Sequence, residues 1–453
     1  MIDEGFKLPT IGYKQITKQS NNQKMCTNYY FLIFLYSCAL AWLYSHVVHP
    51  KYEYMGFESN VTIYWFLLGW IVLGVLAYLC KGFYFNINEN VSCEIIFLLF
   101  LTCGIPFSVM VGHGCFSIWF VACNLFYWTI LIMAYKVLTK HLKVSVPTIS
   151  IGVHQLGKLE LNIIIIGALI VIVYISGKYA HFRLITNLFS VYEYREEAAS
   201  YTLPKIIVYI FSWTRAINTL LIPVLFKRKK YIGVTACFLA QILSFSIDGS
   251  KAVLFYTLCA LGICFIPKMN IRKINSNIIE LLFLALLFMT VVYLLFNNYT
   301  LISLFVRRVM FLPVKLESCY FDYFSNHQPD YYRGSFLRFF GFKSLYSQLP
   351  TIIGKEYFNA PNMGANNGLI SDAMANLGYL GICVQPIFYA VILRILDEVS
   401  NRCSVLVCLV IALYICMLWV NTFLFTSLLT HGIIIIILLL VIINDRVDRE
   451  FIQ

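Results

Sequence analysis

Between Asn277 and Phe296 the chain reads NIIELLFLALLFMTVVYLLF, twenty residues with a single charge. A helix of about 20 apolar residues spans the hydrocarbon core of a bilayer, which is roughly 30 Å thick. Runs of this kind recur from one end of the chain to the other, near 26–46, 61–80, 94–111, 115–135, 161–177, 206–226, 231–247, 252–268, 277–297, 373–396, 403–424 and 429–444. Composition agrees with the pattern. The chain is 60% hydrophobic and 12% charged, where a soluble domain carries about 25% charged residues. These runs predict an all-α polytopic integral membrane protein of about twelve transmembrane helices. The expected organisation is one transmembrane domain over 1–453, without internal repeats or a soluble module. The polar opening MIDEGFKLPTIGYKQITKQSNNQK lacks the short apolar core and small-residue cleavage site of a secretory signal.

Positive charge orients the spans, because cytoplasmic loops retain Lys and Arg. With the N-terminus inside, the inner segments hold Lys7, Lys14, Lys18, Lys24, Lys136, Lys140, Lys143, 227-KRKK-230, Lys268, Arg272 and Lys273. The short outer turns near 112–114 and 425–428 hold none. An even span count puts Asp445-Arg446 and the C-terminus inside too. The net charge of +12 is therefore mostly a sidedness signal, and nucleic acid is not expected as a partner.

Two outer loops break the bias, 178–205 and the long 298–372. The second opens with ISLFVRRVMFLPVKLESCYFDYFSNHQPDYYRGSF, where the pair Arg307-Arg308 interrupts an apolar run. Orientation does not require cations there. The bland reading is snorkelling of long basic side chains to the membrane surface, which suits one arginine better than a cluster. Fifteen cysteines sit almost entirely in spans or inner segments, where a thiol behaves as a small apolar residue. No CxxC or HExxH spacing predicts a metal site.

Polar residues within spans are expensive and tend to face a cavity or a partner. Ser212, Arg215 and Thr219 share one face of the sixth span. Gln241, Ser244 and Asp248 share one face of the seventh, which leads into Lys251. Gly368, Asp372 and Asn376 share one face at the start of the tenth. Together the three stripes suggest a hydrated cavity open to the outside. The alternative is hydrogen bonding between helices, worth about 0.6–2 kcal/mol per bond. It explains the serines well and Arg215 badly. Arginine's planar fork binds phosphate bidentately and keeps its charge. There is no Walker loop for ATP and no Asp-x-Asp pair. A lipid-linked pyrophosphate, which brings both the anion and its own leaving group, fits these facts. Outer tyrosines such as Tyr320 offer faces for sugar rings, although most belong to an interfacial aromatic belt.

The segments 192-YEYREEA-198, 248-DGSKAVLF-255, RRVMFLPVKLESCYFDYF and 364-GANNGLISDAMANLGYLG-381 resemble the Wzy-type O-antigen polymerases, or oligosaccharide repeat-unit polymerases. The likeness covers roughly residues 180–385. The Arg-x10-Gly spacing of some members does not start from Arg333 or Arg338. The resemblance implies a GT-C-like glycosyltransferase of the bacterial inner membrane, working at the periplasmic face. It would transfer a growing glycan from undecaprenyl pyrophosphate to a new lipid-linked repeat unit, without metal or other cofactor. A chain-length regulator and a flippase are the implied protein partners. Carried onto this chain, Arg195, Arg215, Arg307 and Arg308 become pyrophosphate-binding candidates, with Lys251 weaker and with Tyr320 and Asn376 on the substrate path. Glu193, Asp322 and Asp372 are the candidate bases. Each acid is equally placed to partner a nearby arginine. Two other classes compete. A ligase would carry a histidine late in the large loop, whereas His327 is early. A flippase usually lacks one dominant outer loop.

Overall fold

Long apolar runs must satisfy their backbone donors and acceptors internally, and the computed structural model of the chain is helical. It describes residues 28–85, 90–142, 156–185, 194–195, 197–198, 200–265, 274–401 and 403–442, among which there is no strand. In chain order the long helices are α1 (Asn28–Met55), α2 (Ile63–Phe85), α3 (Val91–Gly112), α4 (Ile118–His141), α5 (Leu156–Tyr179), α6 (Lys205–Lys227), α7 (Tyr231–Asp248), α8 (Lys251–Cys264) and α9 (Ile274–Phe296). A π-helix, Ile302–Phe311, then runs into α10 (Leu312–Asn326). After it come α11 (Leu349–Phe358), α12 (Ile370–Leu377), α13 (Tyr379–Ser400), α14 (Val405–Asn421), α15 (Leu424–Leu429) and α16 (Ile433–Ile442).

Among the described residues nine helices are long and apolar enough to cross a membrane. The chain is a multi-pass, all-helical membrane protein. Three of the expected spans fall on shorter helices. α8 has 14 residues and α14 has 17, lengths of about 21 and 26 Å at 1.5 Å per residue. α16 has 10 described residues. The tenth expected span, 373–396, is two helices instead of one. Gly378, at φ +59°, breaks it into α12 and α13. The two pieces then fold so tightly that a Cβ on Gly381 would sit 2.1 Å from the Ala373 carbonyl oxygen.

The helix ends sort into two sets. At one end, the Tyr44 hydroxyl donates to Glu58 O and the Asn60 amide to His113 O, both at 2.8 Å. At the other, the Tyr29 hydroxyl donates to Ala77 O at 2.8 Å. There too Asp397 accepts from the Ser92 amide at 3.0 Å and the Tyr135 hydroxyl at 2.8 Å. Successive helices therefore run up and down, and segment 297–369 caps the first end. α3 is predominantly apolar around its circumference, with Glu94 its one charged residue, and is 94% buried, as such a helix must be in a bundle. α9 is equally apolar but only 17% buried, so its surface is left to lipid.

Pro313 does not end the helix that carries Arg307 and Arg308. The preceding turns are π-helical, and the Leu312 amide donates to Arg307 O, five residues back. Proline then occupies the first turn of α10, where a missing N–H costs nothing.

Candidate functional site

The capping segment encloses a cavity of about 710 Å³ at the loop-bearing end of the bundle. Its walls carry Arg333, Arg338 and Lys343 from the loop, Asn366 and Asn376 from the approach to α12 and from α12 itself, and His431 from the turn before α16. Among the described residues, none of the three cation side chains has a hydrogen-bonded or ion-paired acid. Asp330 also lines the cavity, but its oxygens are occupied. Oδ2 accepts from the Gly334 amide at 2.6 Å, and Oδ1 from Ser344 Oγ and the Leu345 amide, each at 2.8 Å. That carboxylate ties 330–334 to 344–345, and so holds the stretch between them, with Arg338 and Lys343, as a closed loop. A second cavity, of about 550 Å³, lies at the opposite end between α5, α6 and α7. Its walls are mainly Ile165, Ile166, Leu225 and Ile232, with Asn162, Lys229 and Lys230 at its rim.

The cavity wall is strained where it meets α12. Tyr331 and Tyr332 both have left-handed backbones, φ +52° and +59°, at a cost of order 1–3 kcal/mol each for a non-glycine residue. The C-terminal end of α12 holds them there. The Asp330 and Tyr331 amides donate to the Ala375 and Asn376 carbonyls at 2.8 and 3.0 Å, and the Tyr332 amide donates to Asn376 Oδ1 at 3.1 Å. Asn376 in turn donates to Asp372 Oδ1 at 2.6 Å. Asp372 Oδ2 accepts from Gln385 Nε2 and, at 2.7 Å, from the Leu424 amide. The ring closes where the Tyr332 hydroxyl donates to Gln385 Oε1 at 2.5 Å. One fully buried carboxylate thus joins the loop, α12, α13 and the start of α15.

Comparison with protein families, with characterised proteins and with solved structures gives no match. The geometry therefore speaks alone on the residues expected to act. Of these, Asn376 lines the cavity. Asp372 lies behind it with both oxygens engaged. Arg215 and Asp248 form an ion pair at 2.8 Å. Arg215 also donates to Ser244 Oγ at 2.7 Å and to Ser244 O at 3.1 Å, and lies 4.0 Å over the Phe211 ring. Gln241 donates to Thr219 Oγ1 and to Arg215 O, both at 2.9 Å. Two of the three polar stripes therefore close against each other as a seam between α6 and α7, so the hydrated cavity expected between all three is not formed by them. The seam lies beside the turn that carries His431, because Trp213 of α6 donates to Leu429 O at 2.6 Å and packs against Gly432.

Arg195 donates through Nε and Nη2 to Gly249 O, both at 3.2 Å, and Lys251 is exposed at the start of α8. Both flank the end of the seam. Arg307 is half-buried, 4.3 Å over the Tyr52 ring, with Nε donating to Ser303 Oγ at 3.3 Å. Arg308 points outward and is exposed. The two diverge, and among the described residues neither pairs with Glu317 or Asp322. Glu317 is buried and accepts from Asn124 at 3.2 Å, and Asp322 accepts from the Tyr357 hydroxyl at 2.6 Å. Burial pushes the Tyr357 hydroxyl, already bound to Asp322, well above the ordinary tyrosine range. Tyr320 is fully buried, with its hydroxyl on Ala365 O at 3.0 Å. It supports the loop and presents no face to a sugar. Glu193 lies outside the described residues.

The sequence draws attention to Arg333 and Arg338 without giving them a role, and Lys343, Asp330 and His431 are not among the candidate site residues. A usable signal was present. The stretch 330-DYYRGSFLRFFGFK-343 places three cations and one acid in fourteen residues, a local imbalance as strong as that around Arg307. Gly368 was legible only as part of a helix face. Its actual role is close approach, since a Cβ there would stand 1.9 Å from Trp419 O.

Proposed function

We propose that this chain polymerises oligosaccharide repeat units carried on undecaprenyl pyrophosphate, at the periplasmic face of a bacterial inner membrane. The observation that carries the reading is the cavity with three acid-free cations, Arg333, Arg338 and Lys343, at the end of the bundle that bears the large loop. In this reading α8, α14 and α16 complete twelve spans, both termini are cytoplasmic, and the loop faces the periplasm. The glycosyl C1–O bond to pyrophosphate breaks as a bond from C1 to the acceptor hydroxyl oxygen forms. Charge then develops on the departing pyrophosphate, and fixed cations in a partly dry cavity stabilise it. Arg333 and Arg338 offer bidentate forks, and Lys343 adds a point charge. The acceptor proton needs a base. Asp372 is fully engaged, and His431 is the imidazole that lines the cavity. Burial, with the Arg215 charge beside it, lowers its pKa to about 4, so it is neutral at pH 7 and a weak base.

That same histidine favours a second reading, an O-antigen ligase, in which the glycan goes to a lipid core instead of a lipid-linked repeat. Lipopolysaccharide from a deletion strain separates the two on a gel. A single repeat on core is the polymerase result. Loss of all O-antigen, with lipid-linked polymer still made, is the ligase result and overturns the first reading.

A further inference from the structure

Next to the cavity, the chain turns through a short 3-10 helix, Phe336–Phe340, and reverses at Gly341 with φ +86°. Phe336, Phe339, Phe340 and Phe342 are all exposed, at 42%, 66%, 67% and 52%. Four phenylalanines on one tip of seven residues make a continuous apolar patch of the kind a water-facing loop avoids. Arg338 and Lys343 are interleaved with them and also line the cavity.

The depth of this turn can be read from its anchors. Exposed Trp119 and Tyr379, joined by a hydrogen bond at 3.3 Å, stand at helix ends as the aromatic residues of a membrane interface do. The Tyr332 hydroxyl reaches Gln385, six residues further along α13, or about 9 Å below Tyr379 at 1.5 Å per residue. Phe336 stacks on Phe425 of α15, with ring centroids 5.3 Å apart. The loop therefore dips back against the bundle at Tyr332 and Phe336, and its phenylalanine tip beyond them is exposed. Aromatic and apolar side chains with neighbouring Arg and Lys are the composition of an element that lies in the headgroup–acyl boundary.

We propose that the Phe336–Phe342 turn is inserted in the adjacent leaflet of the bilayer, with Phe339, Phe340 and Phe342 among the acyl chains. Arg338 and Lys343 then stand at headgroup level, where the cavity opens sideways to the lipid. Insertion is independent of the reaction catalysed. Lateral entry of a lipid-linked anion rests on the function proposed above. The occupant is the leaflet itself, for which the interleaved cations are complementary to its phosphates.

The test uses the full chain in nanodiscs of phosphatidylcholine and phosphatidylglycerol, with Phe340→Trp and, separately, Phe339→Trp. The chain has seven native tryptophans, so each variant is compared with the wild type. The added emission should be blue-shifted and should be lost when the lipids carry bromine on their acyl chains. Emission untouched by brominated lipid overturns the proposal, whether a water-soluble quencher reaches it or not. Two substitution sites guard against one that misfolds. The readout involves no sugar chemistry, so a negative result here leaves the polymerase reading standing, and a failure of that reading leaves insertion standing.

Discussion

Arg215 and Arg333 are the same residue type in opposite circumstances. Arg215 has spent its fork on Ser244 and Asp248, across the seam between α6 and α7. Arg333 has no acidic partner among the described residues and faces a cavity. Lysine keeps the charge but not the fork. Arg215→Lys should therefore lower the thermal midpoint of the protein in detergent, corresponding to a loss of about 1–3 kcal/mol for hydrogen bonds left unmade. Asp248→Asn should do so to a smaller degree, because Asp248 is one-third exposed and solvent screens the pair. Arg333→Lys should leave the midpoint unchanged. A wild-type midpoint for Arg215→Lys, combined with lost polymer, would make Arg215 a substrate group instead of a tie.

At the scale of elements, the contrast lies between the π-helix bearing Arg307 and Arg308 and the loop from Arg333 to Lys343. The π-helix turns Arg307 inward onto Tyr52 and Arg308 outward. The loop, pinned by Asp330 and by the Asp372–Asn376–Tyr332 ring, presents its cations to one enclosed volume. A charge-assisted hydrogen bond is worth about 1.5–3 kcal/mol, so Arg333→Ala or Arg338→Ala should each reduce polymer yield roughly 10–100-fold at wild-type protein levels. Arg308→Ala should have little effect. Polysaccharide ladders from complemented deletion strains measure all three. An inactive Arg308→Ala beside active Arg333→Ala and Arg338→Ala would return the anion site to the π-helix.

For the whole molecule, the alternating helix ends require the large loop and the 227–230 turn to lie on opposite sides. A reporter active only in the periplasm, fused near residue 340, should be active, and one fused after residue 230 should be silent. The reverse pattern would put the cation-lined cavity in the cytoplasm and remove the lipid-linked substrate from its reach. α3 holds the central position. Buried along nearly all of its length, it is the helix against which α2, α13 and α14 pack.

Most of the long helices were legible because crossing a bilayer is a one-dimensional demand, a minimum length of apolar residues with charges kept to the ends; the break of the tenth span at Gly378 was not. The same demand exposed Arg215, Asp372 and Asn376 as polar residues in costly places. Their partners were not legible. Nothing in 212-SWTRAINT-219 states that its polar face meets Gln241, Ser244 and Asp248, so a seam and a cavity look alike until two helices are set side by side. Arg333 and Arg338 sit in a loop with no period to reveal a face. Their convergence depends on Asp330 closing the loop and on Asn376 holding two tyrosines in left-handed backbone. Those contacts join residues 14 to 53 positions apart, and only packing in three dimensions brings them within hydrogen-bond reach.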